Sequence, residues 1–172
     1  MGYDRGYITR HREPWYKTER REASPLLVNV FSRSGYKVVR NYSSALTLTN
    51  FHCFYSNGLY NKYLDGLFLY LHSAVGHKIL SLAQRKYGNA LDKFEPNDLN
   101  AALVPTQAFF DSLDGEELID IMDAIRRGDD VASRLNAVFK PLLGAGRDDI
   151  AKDEGWSVVT PERRPLQLRL AL

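Results

Sequence analysis

The 172-residue chain predicts an α+β fold: a small antiparallel or mixed sheet packed on a long helix, followed by a C-terminal helical hairpin. Three observations carry this expectation. Short β-branched and aromatic runs separated by turn residues fill positions 26–55, apolar residues recur every three or four positions over 64–82, and two amphipathic runs divided by a glycine occupy 114–140. Hydrophobic residues make up 44% of the chain, which at this length allows one well-buried core but is short for two full domains. The expected organisation is an α+β region over 1–105, an acidic helical hairpin over 106–143 and a tail over 144–172.

Residues 1–25 are polar, basic and aromatic, punctuated by Pro14 and Pro25, and read as an irregular arm. Residues 26–31 are apolar and β-branched, and 36–41 repeat the pattern after Ser32-Arg33-Ser34-Gly35, so the pair reads as a hairpin with Arg33 at its tip. Alternation of Leu46 and Leu48 with Thr47 and Thr49, continuing into aromatics, predicts a third strand over 45–55. After Asn57-Gly58, the series Leu64, Leu67, Phe68, Leu71, Val75, Ile79 and Leu82 predicts a single long helix. Arg85 and Lys86 would sit in its last turn, at the negative end of the helix dipole, with Gly88 as the left-handed stop. Gly66 and Gly76 each weaken such a helix by about 1 kcal/mol relative to Ala, and close packing against the sheet would explain them.

Beyond Pro105, Asp114 with Glu117 three positions on resembles a capping box, opening a helix that runs to Arg127 and stops at Gly128. Asp129 then caps a second helix through Val131, Leu135, Val138 and Phe139, ending near Pro141. From Gly144 onward, charged and small residues alternate until Leu166, Leu168 and Leu170, as in an edge strand or a disordered tail.

The net charge of +2 conceals an imbalance. Positions 1–93 hold 14 Lys/Arg against 6 Asp/Glu, a net +8, whereas 94–172 hold 9 against 15, a net −6. Most of the Tyr, Phe, His and Asn lie interleaved with those leading cations, a mixture suited to phosphates and bases. The single cysteine, Cys53, excludes an internal disulfide, and no charged-then-apolar leader or long apolar run points to export or a membrane, so a cytoplasmic setting is expected. A metal site is not expected either, because Cys53 has no nearby cysteine partner and His72 and His77 miss the i, i+4 spacing.

Catalytic signatures are weak. Gly144-Ala145-Gly146 follows no strand and lacks a third glycine, no Gly-x-Ser-x-Gly elbow occurs, and Glu95 and Asp98 beside Pro96 fit a turn or cap as well as an acid–base pair. The basic and aromatic residues make the stronger case. Arg10, Arg12, Trp15, Tyr16 and Lys17 put cations and flat rings on one segment, where the cations can neutralise phosphates and the rings can stack or fold back on the sheet. At the proposed hairpin tip, Arg33 is suited to a bidentate bond with guanine, while Lys37 and Arg40 suit phosphates. Asn41 and Asn50 could read adenine or satisfy turns, and Lys93 adds a further cation.

Several stretches resemble a known family: Pro14-Trp15-Tyr16-Lys17, Val30-Phe31-Ser32-Arg33-Ser34-Gly35-Tyr36, Asn41 through Leu48-Thr49-Asn50-Phe51-His52, and Tyr87-Gly88-Asn89-Ala90-Leu91-Asp92-Lys93-Phe94-Glu95-Pro96-Asn97-Asp98-Leu99. Their order and spacing over residues 7–105 resemble the C-terminal target-recognition region of N6-adenine DNA methyltransferases of bacterial restriction–modification systems. In that family a glycine-containing loop holds S-adenosylmethionine and an Asn/Asp-Pro-Pro-Tyr/Phe motif meets the adenine. Neither motif occurs here. The resemblance therefore implies a recognition part without the catalytic domain, binding double-stranded DNA beside a catalytic domain or subunit that carries the methyl donor. A protein-interaction module, including a homodimer built on the acidic hairpin, is the alternative.

Overall fold

Val30 divides the first apolar run between two sheets. The computed structural model of the chain describes residues 22–144, 149–151 and 156–159. Strand β1 (Leu26–Asn29) pairs antiparallel with β3 (Val38–Arg40) and β4 (Phe51–Ser56), and β9 (Trp156–Val159) adds to the far side of β4, giving the order β3-β1-β4-β9. Past Val30 the chain joins a second sheet as β2 (Phe31–Ser32), beside the hairpin of β5 (Arg85–Tyr87) and β6 (Leu91–Lys93), in the order β2-β6-β5. A small pair, β7 (Val104–Pro105) with β8 (Ile150–Ala151), completes the strands among the described residues. The chain is α+β, as expected.

Register decides which residues reach the core. Alternate side chains face opposite sides of a strand, so Leu26 and Val28, both fully buried, point with Val38 and Phe54 to one face, where they join the main apolar cluster. Leu27 and Cys53, paired across the strands, occupy the other face. There the Thr47 hydroxyl lies 3.3 Å from Cys53 Sγ.

Against the core face lies α1 (Leu64–His72), whose residues from Leu67 to Leu71 are all buried. A helix apolar on every side must be enclosed. The sheet encloses it on one side, and α2 (Ala74–Ser81), α5 (Gly115–Arg127) and α6 (Ala132–Phe139) pack on the others. Tyr70, Leu69 and Leu67 are at most 1% exposed, each worth about 1.5–3 kcal/mol of burial. The acidic hairpin contributes Ile121, Met122, Leu135 and Phe139 to the same cluster and sends its charged face outward.

The structure corrects several expectations. The long helix is two, because Ser73 adopts ψ 156° and its hydroxyl accepts the amide of Gly76 at 3.0 Å, ending α1 and capping α2. Gly66 and Gly76 do mark close packing, but not against the sheet: Gly66 faces the Phe110 ring, and a Cβ on Gly76 would lie 2.0 Å from the Tyr70 carbonyl oxygen. Leu82, expected on the buried stripe, is 84% exposed. Arg85 and Lys86 belong to β5 rather than a helical turn, and Gly88 opens the β5–β6 turn, in which Asn89 and Ala90 take left-handed φ of 65° and 54°.

The third strand starts at Phe51, not at 45. Residues 45–50 are irregular, with Leu46 and Leu48 exposed, because Asn41 draws the chain into a turn by accepting the Ser43 amide and donating to the Ala45 carbonyl. Two short helices lie where the sequence predicts none, α3 (Pro96–Asn100) and α4 (Gln107–Asp111), the latter capped by Thr106. Asp114 caps α5 as expected, accepting the amides of Glu116 and Glu117, and Gly128 ends it at φ 82°. The second hairpin helix starts at Ala132, whose amide bonds Asp130; Asp129 instead pairs with Arg127. The tail supplies an edge strand, β9.

Candidate nucleic-acid interface

The segment from Asn29 to Arg33, where the chain crosses between sheets, is a hub for residues distant in sequence. Asn29 Oδ1 accepts the Lys37 amide at 2.5 Å, and the Val30 amide donates to the Asn50 carbonyl at 2.9 Å. The Val30 carbonyl accepts the Phe94 amide at 3.0 Å, and Phe31 is the cross-strand partner of Lys93. Arg33 follows directly. Of the expected contact residues, Arg33, Lys37, Asn50 and Lys93 are thus gathered around one stretch of five residues.

Arg33 is presented on a braced turn. The Ser32 hydroxyl donates to the Gly35 carbonyl and accepts the Ser34 amide at 3.3 Å, while Gly35 takes φ 85°, a conformation glycine adopts without strain. Tyr36 anchors the turn from below: its hydroxyl donates to the Leu71 carbonyl at 3.0 Å and its ring stacks on His77 at 4.1 Å. Burial pushes the Tyr36 hydroxyl far above its ordinary range, so it stays a donor. Among the described residues, the side chains of Arg33, Lys37 and Lys86 make no hydrogen bond or ion pair, and all are exposed. Asn50 is exposed likewise.

Other expected contact residues are committed to the fold. Arg40 donates to Asp65 at 2.7 Å and to the Pro25 carbonyl at 2.9 Å, with its guanidinium 4.6 Å above the Tyr42 ring. Asn41 donates to the carbonyls of Ser24 and Ala45. These bonds tie β3 to α1 and shape the 41–45 turn. Arg10, Arg12, Trp15, Tyr16 and Lys17 lie outside the described residues.

Beside the turn, the β2-β6-β5 sheet adds Phe31, Arg85 and Tyr87 to the expected Lys93. Register sets Phe31, Lys93 and Arg85 in one row on a common face, with Tyr87 two positions along. Lys93 Nζ lies 5.5 Å from the Phe31 ring centre and 5.7 Å from that of Tyr87, and bonds Glu95 at 2.7 Å. Arg85 grips both oxygens of Asp98. The bond from Lys93 holds the Glu95 carboxyl below its ordinary value, and the bond from Arg85 does the same for Asp98. Both are therefore held as anions, the reverse of what a general acid needs. The signal for Phe31 and Tyr87 was present as aromatics in short polar strands, but the shared face appears only with the register.

Asn/Asp-Pro-Pro-Tyr/Phe is absent from the sequence, and Gly144 follows a 3-10 segment, Lys140–Leu143, instead of a strand. Those residues do not fit the strand and glycine loop that would cradle S-adenosylmethionine. Among the described residues no group of three or more His, Cys, Asp or Glu is arranged to hold a metal, and no helix is long and apolar enough to cross a membrane.

No solved structure matches. The chain is 31% identical over 142 residues to the Type II methyltransferase M.AccI of Acinetobacter calcoaceticus, covering 77% of this chain and 26% of that protein, so it spans about a quarter of the relative's length. The family model of the Type II methyltransferase M.Eco57I C-terminal domain matches residues 1–142. This chain belongs to that family of C-terminal methyltransferase domains.

Proposed function

We propose that the chain is the target-recognition part of a site-specific adenine-N6 DNA methyltransferase, docking on duplex DNA while a separate catalytic domain or subunit binds S-adenosylmethionine and transfers the methyl group. The observation that carries this reading is the pair of exposed cations, Arg33 and Lys37, unpaired among the described residues and beside a braced turn in a domain of this family. A guanidinium on a rigid turn can enter a groove and bond guanine bidentately, whereas a flexible ammonium suits phosphate oxygens. The acidic outer face of α5, with Glu116, Glu117 and Asp120 exposed, would turn away from the duplex.

Titration of labelled duplex DNA tests the proposal. Binding should weaken steeply between about 50 and 200 mM salt. Lys37→Ala should weaken all sequences alike and reduce the salt slope by about one, whereas Arg33→Ala should narrow the difference between sequences. Absence of binding at low salt, even with the catalytic part added, would defeat the reading.

A second reading, a protein-interaction module, is favoured by Leu46 and Leu48, 60% and 77% exposed on the irregular segment before β4. Light scattering that finds a stable dimer indifferent to DNA would select it.

A further inference from the structure

We propose that the exposed face of the β2-β6-β5 sheet is a seat for one unstacked nucleobase, held against the rings of Phe31 and Tyr87 and read at its edge by Glu95 and Lys93. The inference rests on the proposed role in DNA recognition and adds the kind of nucleotide that this surface takes.

Phe31 and Tyr87 are 48% and 47% exposed, and they flank the Lys93 ammonium on one side of the sheet. Rings half in water on a rigid sheet offer flat apolar faces. In an intact duplex the faces of each base are covered by its neighbours, so such rings can meet a base face only where a nucleotide has left the stack.

Charge points the same way. Lys93 is matched by Glu95 at 2.7 Å and Arg85 by Asp98 at 2.5 Å, so this face is close to neutral, unlike the turn bearing Arg33 and Lys37. Phosphate gains little from cations already paired with carboxylates, whereas a neutral base edge finds here both a donor and an acceptor. Glu95 uses Oε1 for Lys93 and for the Tyr87 hydroxyl, while its Oε2 makes no hydrogen bond among the described residues. A carboxylate oxygen open to solvent accepts from an exocyclic amino group, which cytosine and adenine carry and thymine lacks.

The experiment is fluorescence anisotropy with the full 172-residue chain and three labelled DNAs of common flanking sequence: an intact duplex, one with a single bulged cytosine and one with a single bulged thymine. The bulged-cytosine duplex should bind about tenfold tighter than the intact one, the order that stacking one base on an aromatic ring provides, with bulged thymine in between. The double variant Phe31→Ala/Tyr87→Ala should bring the bulged-to-intact ratio down to about one. Phe31→Leu/Tyr87→Leu, which keeps apolar bulk, should do so too, and serves where the Ala variant unfolds by its thermal midpoint. Glu95→Ala, which leaves no side-chain acceptor, should remove the preference for cytosine over thymine. Equal binding of intact and bulged duplexes by the unaltered chain, or a preference that survives both ring variants, overturns the seat while leaving duplex recognition standing. Binding to none of the three DNAs at low salt, with the catalytic part added as well, overturns both.

Discussion

Gly76 shows how a single residue can be required by backbone alone. In a helix Ala is favoured over Gly by about 1 kcal/mol, so propensity argues for replacement. Space argues against it, since a Cβ there would meet the Tyr70 carbonyl oxygen at 2.0 Å and its carbon at 2.8 Å, atoms of the preceding helix that cannot rotate aside. The clash should win, and Gly76→Ala should lower stability by about 2 kcal/mol or more in urea unfolding. Gly88→Ala, with nothing within 4 Å, is the control and should change little. A stable Gly76→Ala chain would mean that α1 and α2 do not cross this closely. The same residue scale explains why only some expected contact residues were legible. Arg33, Lys37 and Arg40 look alike in sequence, but among the described residues only Arg40 has an acid, Asp65, and a carbonyl, Pro25, brought within reach by the fold.

At the scale of elements, what the sequence revealed is what local chemistry decides. Asp114 and Gly128 bound α5 because a carboxylate on free amides and a left-handed glycine act within one turn. Asp114→Ala should therefore cost about 1 kcal/mol and speed amide exchange at the start of α5, while Asp114→Asn, which keeps an acceptor, should cost less. Equal losses in both variants would shift the cause from capping to charge at the helix N-terminus. Breaks set by tertiary packing were not legible. The apolar spacing runs unbroken across Ser73, and the Leu-Thr alternation over 45–50 imitates a strand although Asn41 has turned the chain. Nor could the sequence divide β1 from β2, because the sheet-to-sheet crossing at Val30 depends on partners 20 and 64 positions away, Asn50 and Phe94.

For the whole molecule, the histidines couple the core to acidity. The +8 and −6 halves were plain in sequence, but which charges remain free depended on pairing in space, and so did the surroundings of each imidazole. His52 is 2% exposed, with Nε2 bonded to the Phe94 carbonyl at 2.9 Å and Nδ1 without a partner, and burial pushes its pKa down despite that bond and the nearby Glu95. Burial also lowers His72, whose Nδ1 bonds the Phe68 carbonyl, and His77, stacked on Tyr36. In the unfolded chain these groups titrate at about 6.5. As pH falls through that value the unfolded state takes up protons that the folded state refuses, so stability declines from about pH 6.5 downward until the depressed folded values are reached. Ion-paired Glu95, Asp98 and Asp111 are also lowered, but they lose their contribution only in the more acidic carboxylate range. The thermal midpoint should accordingly fall between pH 7.5 and 5. His52→Gln, whose amide can still donate to Phe94 but carries no titrating group, should fall less. If the unaltered chain and this variant lose the same number of degrees, the imidazole that joins β4 to Phe94 is not the group through which acid loosens the sheet crossing.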